Sequence, residues 1–85
     1  MNNTEIQATA LDVLSGIAPE IEKDTIRSDR ALRDQIDLDS MDWLNFLIGL
    51  HERLKVDIPE SDYARLTSLD AITRYLSQKL TSAGR

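Results

Sequence analysis

The run from Ile36 to Leu54, Ile-Asp-Leu-Asp-Ser-Met-Asp-Trp-Leu-Asn-Phe-Leu-Ile-Gly-Leu-His-Glu-Arg-Leu, constrains the fold more than any other part of the chain. Leu44, Leu47, Ile48, Leu50 and Leu54, with Trp43 and Phe46 beside them, recur at three- and four-residue spacing, which predicts a helix of roughly four turns. Its apolar residues cover more than one stripe, because Met41, Leu44 and Ile48 form a neighbouring strip running down from Ser40. So wide an arc is either the buried surface of a central bundle helix or a surface for a partner, or for a group attached at Ser40. Ser40 stands where a polar approach meets the first periodic residue, the place of an N-cap hydroxyl.

The flanking segments supply helices for this one to pack against. Thr4 and Gln7 read as a capping box, after which Ile6, Ala10, Val13, Leu14 and Ile17 trace one face of a helix over 4–16. Pro19 stops it, and residues 17–39 read as a long loop, pinned by Ile21, Ile26, Leu32 and Ile36, with a short turn at 29–34 capped by Ser28 and Asp29. Beyond the central helix, 40–54, the segment Lys55-Val56-Asp57-Ile58-Pro59 reads as an extended connector with Val56 and Ile58 turned inward. Pro59 then opens a short helix over 60–65. Thr67 and Asp70 suggest a second capping box for a helix over 68–81, with Leu69, Ile72, Tyr75, Leu76 and Leu80 on one face and 82–85 as a frayed tail. The predicted fold is an all-α bundle of three main helices and one short one, in a single domain of 85 residues.

Composition narrows the function. A domain of this size buries only about 60–65% of the surface its unfolded chain exposes, so the core is thin and leaves little room for a deep cleft. The chain has no cysteine and one histidine, which excludes thiolate chemistry, disulfides and histidine-rich metal sites. With 15 acidic and 10 basic side chains the net charge is −5, a field that repels nucleic acid and anionic membranes and attracts basic protein patches. The start, Met-Asn-Asn-Thr-Glu, lacks a signal peptide's basic and apolar regions, and no apolar run is long enough for a membrane span. A cytoplasmic monomer is expected, with neither nucleic-acid binding nor membrane insertion.

Ser40 is not a self-activated nucleophile. The one imidazole, His51, lies eleven residues away on the same predicted helix, about 16 Å at 1.5 Å per residue. Asp37, Asp39 and Asp42 do not make a calcium loop, since the sixth and twelfth positions hold Asp42 and Ile48 in place of glycine and a bidentate acid. A phosphodiester on Ser40 would nevertheless suit the positive end of a helix, where backbone N–H groups lack partners.

The surrounding residues resemble the acyl carrier protein family. Asp39-Ser40-Met41-Asp42 is similar to that family's attachment motif, Asp-Ser-Leu-Asp, whose serine carries a covalent 4'-phosphopantetheine arm. Leu54-Lys55-Val56-Asp57-Ile58-Pro59 resembles the passage after the family's second helix, and Leu66-Thr67-Ser68-Leu69-Asp70-Ala71-Ile72 the start of its last helix, with Tyr75-Leu76 as its closing pair. The resemblance implies Ser40 as the attachment site and Asp39 as a recognition residue for a phosphopantetheinyl transferase. It implies Phe46, Leu47, Leu50 and Leu54 as core. Partner enzymes would meet Met41, Asp42, Leu44, Asn45, Ile48, His51, Glu52 and Asp57.

In the family's fatty-acid carriers, glutamates usually stand at the positions of Asn45 and His51, and many members have glycine at that of Asp37. Those departures point to a discrete member other than the housekeeping fatty-acid carrier. The implied function is non-catalytic: an acyl or aminoacyl group would be held as a thioester on the arm and presented to loading enzymes, synthases or acyltransferases. Fatty-acid, polyketide and nonribosomal-peptide pathways all remain open. A chain could be stored in a space lined by Leu50, Leu54, Ile58, Leu66, Leu69 and Ile72, with Ala71 leaving volume. The rival reading is a cofactor-free helical adaptor that binds a protein through the Met41, Leu44 and Ile48 strip.

Overall fold

The computed structural model describes residues 2–83, with side chains through residue 80. Three helices of equal length dominate it: α1 (Asn3–Ile17), α3 (Ser40–Leu54) and α4 (Leu69–Ala83). The shorter elements are a 3-10 turn at Lys23–Thr25, a one-turn helix α2 (Leu32–Gln35) and a 3-10 helix at Glu60–Arg65. No strand occurs among the described residues; one isolated antiparallel bridge joins Ala31 to Ser68. The fold is the expected all-α bundle.

Each long helix buries the stripe its apolar spacing prescribes. Ile6, Ala10, Val13 and Leu14 of α1 meet Phe46, Leu47, Leu50 and Leu54 of α3 and Leu69, Ile72, Tyr75 and Leu76 of α4 in one continuous core. Helix α1 packs against both α3 and α4. The two helices approach closely at Gly49, where an added Cβ would lie 2.6 Å from Val13 Cγ1. Val56 and Ile58 turn inward from the connector as predicted, and the short helix begins at Glu60 after Pro59.

The helix starts differ from the sequence reading in an instructive way. At α1 the capping box is Asn2 with Glu5, where the Thr4–Gln7 pair was expected: Asn2 Oδ1 accepts from the Glu5 amide at 2.8 Å and Glu5 accepts from the Asn2 amide at 3.3 Å. At α4 the Thr67–Asp70 box gives way to Ser68, whose Oγ accepts from the Ala71 amide at 3.1 Å. The Thr67 carbonyl is instead the acceptor for the Leu32 amide. At α3 the cap is Asp39 and not Ser40, since the Asp39 carboxylate takes the Asp42 amide at 2.8 Å. In each case the true cap lies one or two residues from the expected one, because several Asn, Asp, Ser and Thr side chains stand near each start and all can accept. The expected tail is shorter, with Ser82 and Ala83 inside α4; Gly84 and Arg85 lie outside the described residues.

Residues 17–39 are also more structured than a loop. Ile17 belongs to α1, Lys23–Thr25 form a turn and Leu32–Gln35 a short helix. The expected anchors hold: Leu32 and Ile36 are buried, and Ile21 and Ile26 pack against the core, joined by Ala18 and Leu38. Ser28 and Asp29 do not cap α2, which starts from Ala31 without a side-chain cap. Asp29 pairs with Arg27 instead, and the Ser28 carbonyl accepts from the Asp70 amide. Gln35 knots the segment, its Oε1 accepting from the Arg27 amide and its Nε2 donating to the carbonyls of Arg27 and Arg30. Asp12 of α1 holds both Lys23 and Arg53 at 3.2 Å, which depresses its carboxyl below the usual range.

Candidate functional site

The start of α3 presents Ser40 with its hydroxyl unengaged. An N-cap serine would turn its Oγ back to the amide three residues on. Here Asp39 performs that task in an extended conformation, φ −80° and ψ 179°, and Ser40 becomes the first helical residue, exposed to solvent. Its hydroxyl has no hydrogen-bond partner among the described residues. First-turn amides have no intrahelical acceptor. The Asp42 amide goes to the Asp39 carboxylate and that of Trp43 to the Asp39 carbonyl. The amides of Ser40 and Met41 are left without an acceptor among the described residues. An exposed hydroxyl beside two such amides fits a phosphodiester, so the residues present are compatible with a phosphopantetheine group on this serine.

Down the same side of α3 run the large apolar residues that the fold leaves outside: Met41 is 71% exposed, Leu44 42% and Ile48 41%. Spacings of three and four residues place them in one line, with Asn45 and Glu52 along it. Asn45, His51 and Glu52 are exposed, Asp42 is half-buried, and Asp57 is exposed just beyond the helix. Phe46, Leu47, Leu50 and Leu54 fill the opposite, buried side. The two apolar strips of the sequence are thus physically separate, one in the core and one in water.

His51 has a second role that spacing did not reveal. Its Nδ1 lies 2.6 Å from the Val56 carbonyl oxygen, and because a carbonyl only accepts, Nδ1 carries the proton and donates. This bond spans Lys55, which closes the helix in the left-handed region at φ 54° and ψ 44°. The imidazole therefore staples the end of α3, three turns from Ser40, and cannot serve that hydroxyl as a base. Among the described residues no cluster of His, Cys, Asp or Glu is arranged to hold a metal ion.

Trp43, one turn after Ser40, is half-buried, its ring tilted 36° to Phe46 at a centroid distance of 5.3 Å. With Tyr63, Ala64 and Leu66 it walls an apolar cleft of about 200 Å³, and Arg33 closes one side while reaching the Leu38 carbonyl at 3.4 Å. The six residues expected to line a storage space are all buried members of the core. Ala71 is not among them: it faces outward, onto a surface cleft shared with Arg65 and Arg74. The lone tryptophan beside the serine was the one sequence signal that could have marked the Trp43 cleft.

Comparison with known proteins shows the family. The family model for the phosphopantetheine attachment site matches residues 8–76. An acyl carrier protein of Kineococcus radiotolerans is 26% identical over 77 residues, covering 84% of this chain and 95% of that one. An acyl carrier protein of Campylobacter jejuni subsp. doylei is 27% identical over 71 residues, 81% of this chain and 92% of its own. The solution structure of a protein from Anaplasma phagocytophilum described as an acyl carrier protein superposes with a TM-score of 0.81 at 27% identity, covering 93% of this chain and 92% of the other. The chain belongs to the phosphopantetheine-binding carrier family.

Proposed function

We propose that this protein is an acyl or aminoacyl carrier whose 4'-phosphopantetheine is attached to Ser40. The observation that carries the reading is the exposed, unengaged hydroxyl of Ser40, supported by the free amides beside it and by the exposed Met41, Leu44 and Ile48 strip below it. When bound, the group supplies the thiol that this cysteine-free chain lacks, and cargo is held on it as a thioester. The chain's own residues position and advertise: Asp39 caps α3 and marks the serine for a basic transferase. The apolar strip, with Asp42, Asn45, His51, Glu52 and Asp57 around it, docks loading enzymes, synthases or acyltransferases.

Asn45 and His51 leave this surface poorer in carboxylates than a glutamate-lined one, which favours a discrete carrier outside housekeeping fatty-acid synthesis. A cytoplasmic monomer with no catalytic step of its own completes the reading. No helix among the described residues is long and apolar enough to cross a membrane. The cleft at Trp43, one turn from Ser40, receives short apolar cargo, whereas the core residues are already packed against one another.

Coexpression with a broad-specificity phosphopantetheinyl transferase, followed by intact-protein mass spectrometry, tests the attachment. One arm should be added to the wild type and none to Ser40→Ala. A wild type that stays at its unmodified mass with several competent transferases would favour the cofactor-free adaptor. Trp43 emission that shifts on acylation of the arm would support the cleft as the cargo's resting place; unchanged emission would place the cargo elsewhere.

A further inference from the structure

The cations of this acidic protein are unevenly satisfied. Lys23 and Arg53 are both held by Asp12, and Arg27 is held by Asp29. On the outer side of α4 the situation is the reverse. The Arg65 guanidinium and the Lys79 ammonium each lie 5.5 Å from the centroid of the Tyr75 ring. The carboxylate nearest them, Asp62, accepts the Tyr75 hydroxyl at 2.5 Å and reaches Arg65 only at 4.0 Å. Arg74 is exposed, and among the described residues neither it nor Lys79 has an ion-pair partner. Two clefts, of about 350 and 140 Å³, share Arg65, Tyr75 and Gln78 as lining, one opening beside Lys79 and the other beside Arg74. They form one groove lined by three cations and one already engaged carboxylate, with Asp57 near enough to act on Tyr75 and Asp70 lining a separate cleft on the other side of Arg74.

We propose that this groove is a docking site for an acidic, extended peptide segment of a partner protein. The spacing of the cations selects that occupant. Arg74 and Lys79 stand five residues apart on α4, about 7.5 Å along the axis and turned roughly 140° about it, so one small anion cannot meet both. With that rotation included the two cations stand farther apart than the rise alone, and carboxylates repeated along an extended strand, about 6.6 Å apart on alternate residues, can follow the groove from one to the other. A nucleic acid would carry its phosphates beyond the groove onto a chain whose net charge is −5. The site is separate from the start of α3 and does not depend on Ser40 carrying an arm. A partner could hold the protein here while other enzymes visit the α3 face.

The test is fluorescence anisotropy of the full-length protein with a fluorescein-labelled peptide of Glu-Ser repeats, against a Gln-Ser repeat as control. Binding is expected at about 20 mM salt and weakened about tenfold at 300 mM, where exposed charges are screened. Arg74→Gln, at an exposed position, and Lys79→Gln, which gives up only the ammonium over the Tyr75 ring, should each weaken it about two- to fivefold, and the triple variant with Arg65→Gln should abolish it, with unchanged circular dichroism. Binding no better than the Gln-Ser control, or equal binding by wild type and the two single variants, overturns the proposal. Complete displacement by millimolar inorganic phosphate at matched ionic strength would make it a small-anion site, and tighter binding of a short duplex RNA would make it a nucleic-acid site; either outcome rejects the peptide. The transferase should modify Ser40 in the triple variant at the wild-type rate. A specific loss there would refute the separation of the two surfaces, whereas failure to modify the wild type would sink the carrier reading and leave the groove standing.

Discussion

Gly49 is the position where the packing of α1 on α3 can be tested most sharply. In the interior of a helix glycine costs about 1 kcal/mol relative to alanine, so Gly49→Ala would stabilise an isolated α3 by that amount. In the bundle the new Cβ would meet Val13 Cγ1 at 2.6 Å, about 1 Å inside the optimal carbon–carbon separation. Val13 has one strongly preferred rotamer on a helix and no flexible end to withdraw. Overpacking of this kind costs about 1–3 kcal/mol, and after the propensity gain the net destabilisation is about 1 kcal/mol. For a domain of this size that lowers Tm by about 4–8 °C.

Two further variants make the test exact in sign. At Gly16 an added Cβ meets nothing within 4 Å, so Gly16→Ala should stabilise by about 0.5–1 kcal/mol. Val13→Ala removes the clashing methyl, so Gly49→Ala in that background should also stabilise, giving a coupling of about 2 kcal/mol between the two sites. Urea denaturation followed by circular dichroism at 222 nm measures all four combinations. A Gly49→Ala protein more stable than wild type by about 1 kcal/mol, or additive effects of Val13→Ala and Gly49→Ala, would refute the contact as the reason for glycine.

Three other outcomes follow from the same structure. Lys55 adopts φ 54°, so Lys55→Gly should raise the unfolding free energy measured in urea by about 0.5–1 kcal/mol without altering helix content. The Tyr75 phenol is pushed up to about 12, first by burial and then by its hydrogen bond to Asp62; because this folded value lies above the ordinary 10, its contribution is complete below pH 10 and is lost as pH rises through about 12. Tyr75→Phe should flatten that alkaline fall, and absorbance at 295 nm in a Tyr63→Phe background should show Tyr75 titrating late. Met41→Glu and Leu44→Glu, at exposed positions, should each impair transfer by a partner enzyme while circular dichroism stays near wild type; normal transfer by both would remove the strip as a docking surface.

The apolar spacing made the bundle legible because each long helix has a stripe that only one side can bury. Leu50, Leu69, Ile72 and Leu76 are fully buried where three- and four-residue intervals put them. The exposed strip was legible for the complementary reason: α3 has more apolar residues than one core face can take. What spacing could not rank was local hydrogen bonding. Asn2, Thr4, Asp39, Ser40, Thr67 and Ser68 are all competent acceptors near a helix start, and the choice depends on which backbone turns extended first. The order within 17–39 was hidden because it rests on Gln35 reaching the Arg27 and Arg30 carbonyls and on Leu32 and Asp70 pairing across the chain. Such contacts leave no periodicity. The groove on α4 was hidden too, since Arg65 and Lys79 are far apart in sequence and meet only across the Tyr75 ring.

The order Asp39-Ser40 has a physical logic that the reverse order would lack. A helix start needs an acceptor for the amide of its third residue, and whichever side chain provides it is folded back against the backbone. With the serine in that place its Oγ would be occupied, and the aspartate would take the outward-facing first position. With aspartate as the cap, the charge that best complements the positive end of α3 is spent on the Asp42 amide at 2.8 Å. The serine one residue on is then left exposed, with its own amide and that of Met41 free to meet a phosphate. The same carboxylate places a negative charge immediately before the hydroxyl, where the proposed basic transferase would meet it. A change that moved the cap from Asp39 to Ser40 would therefore leave α3 nearly as stable while withdrawing the hydroxyl on which the proposed attachment depends.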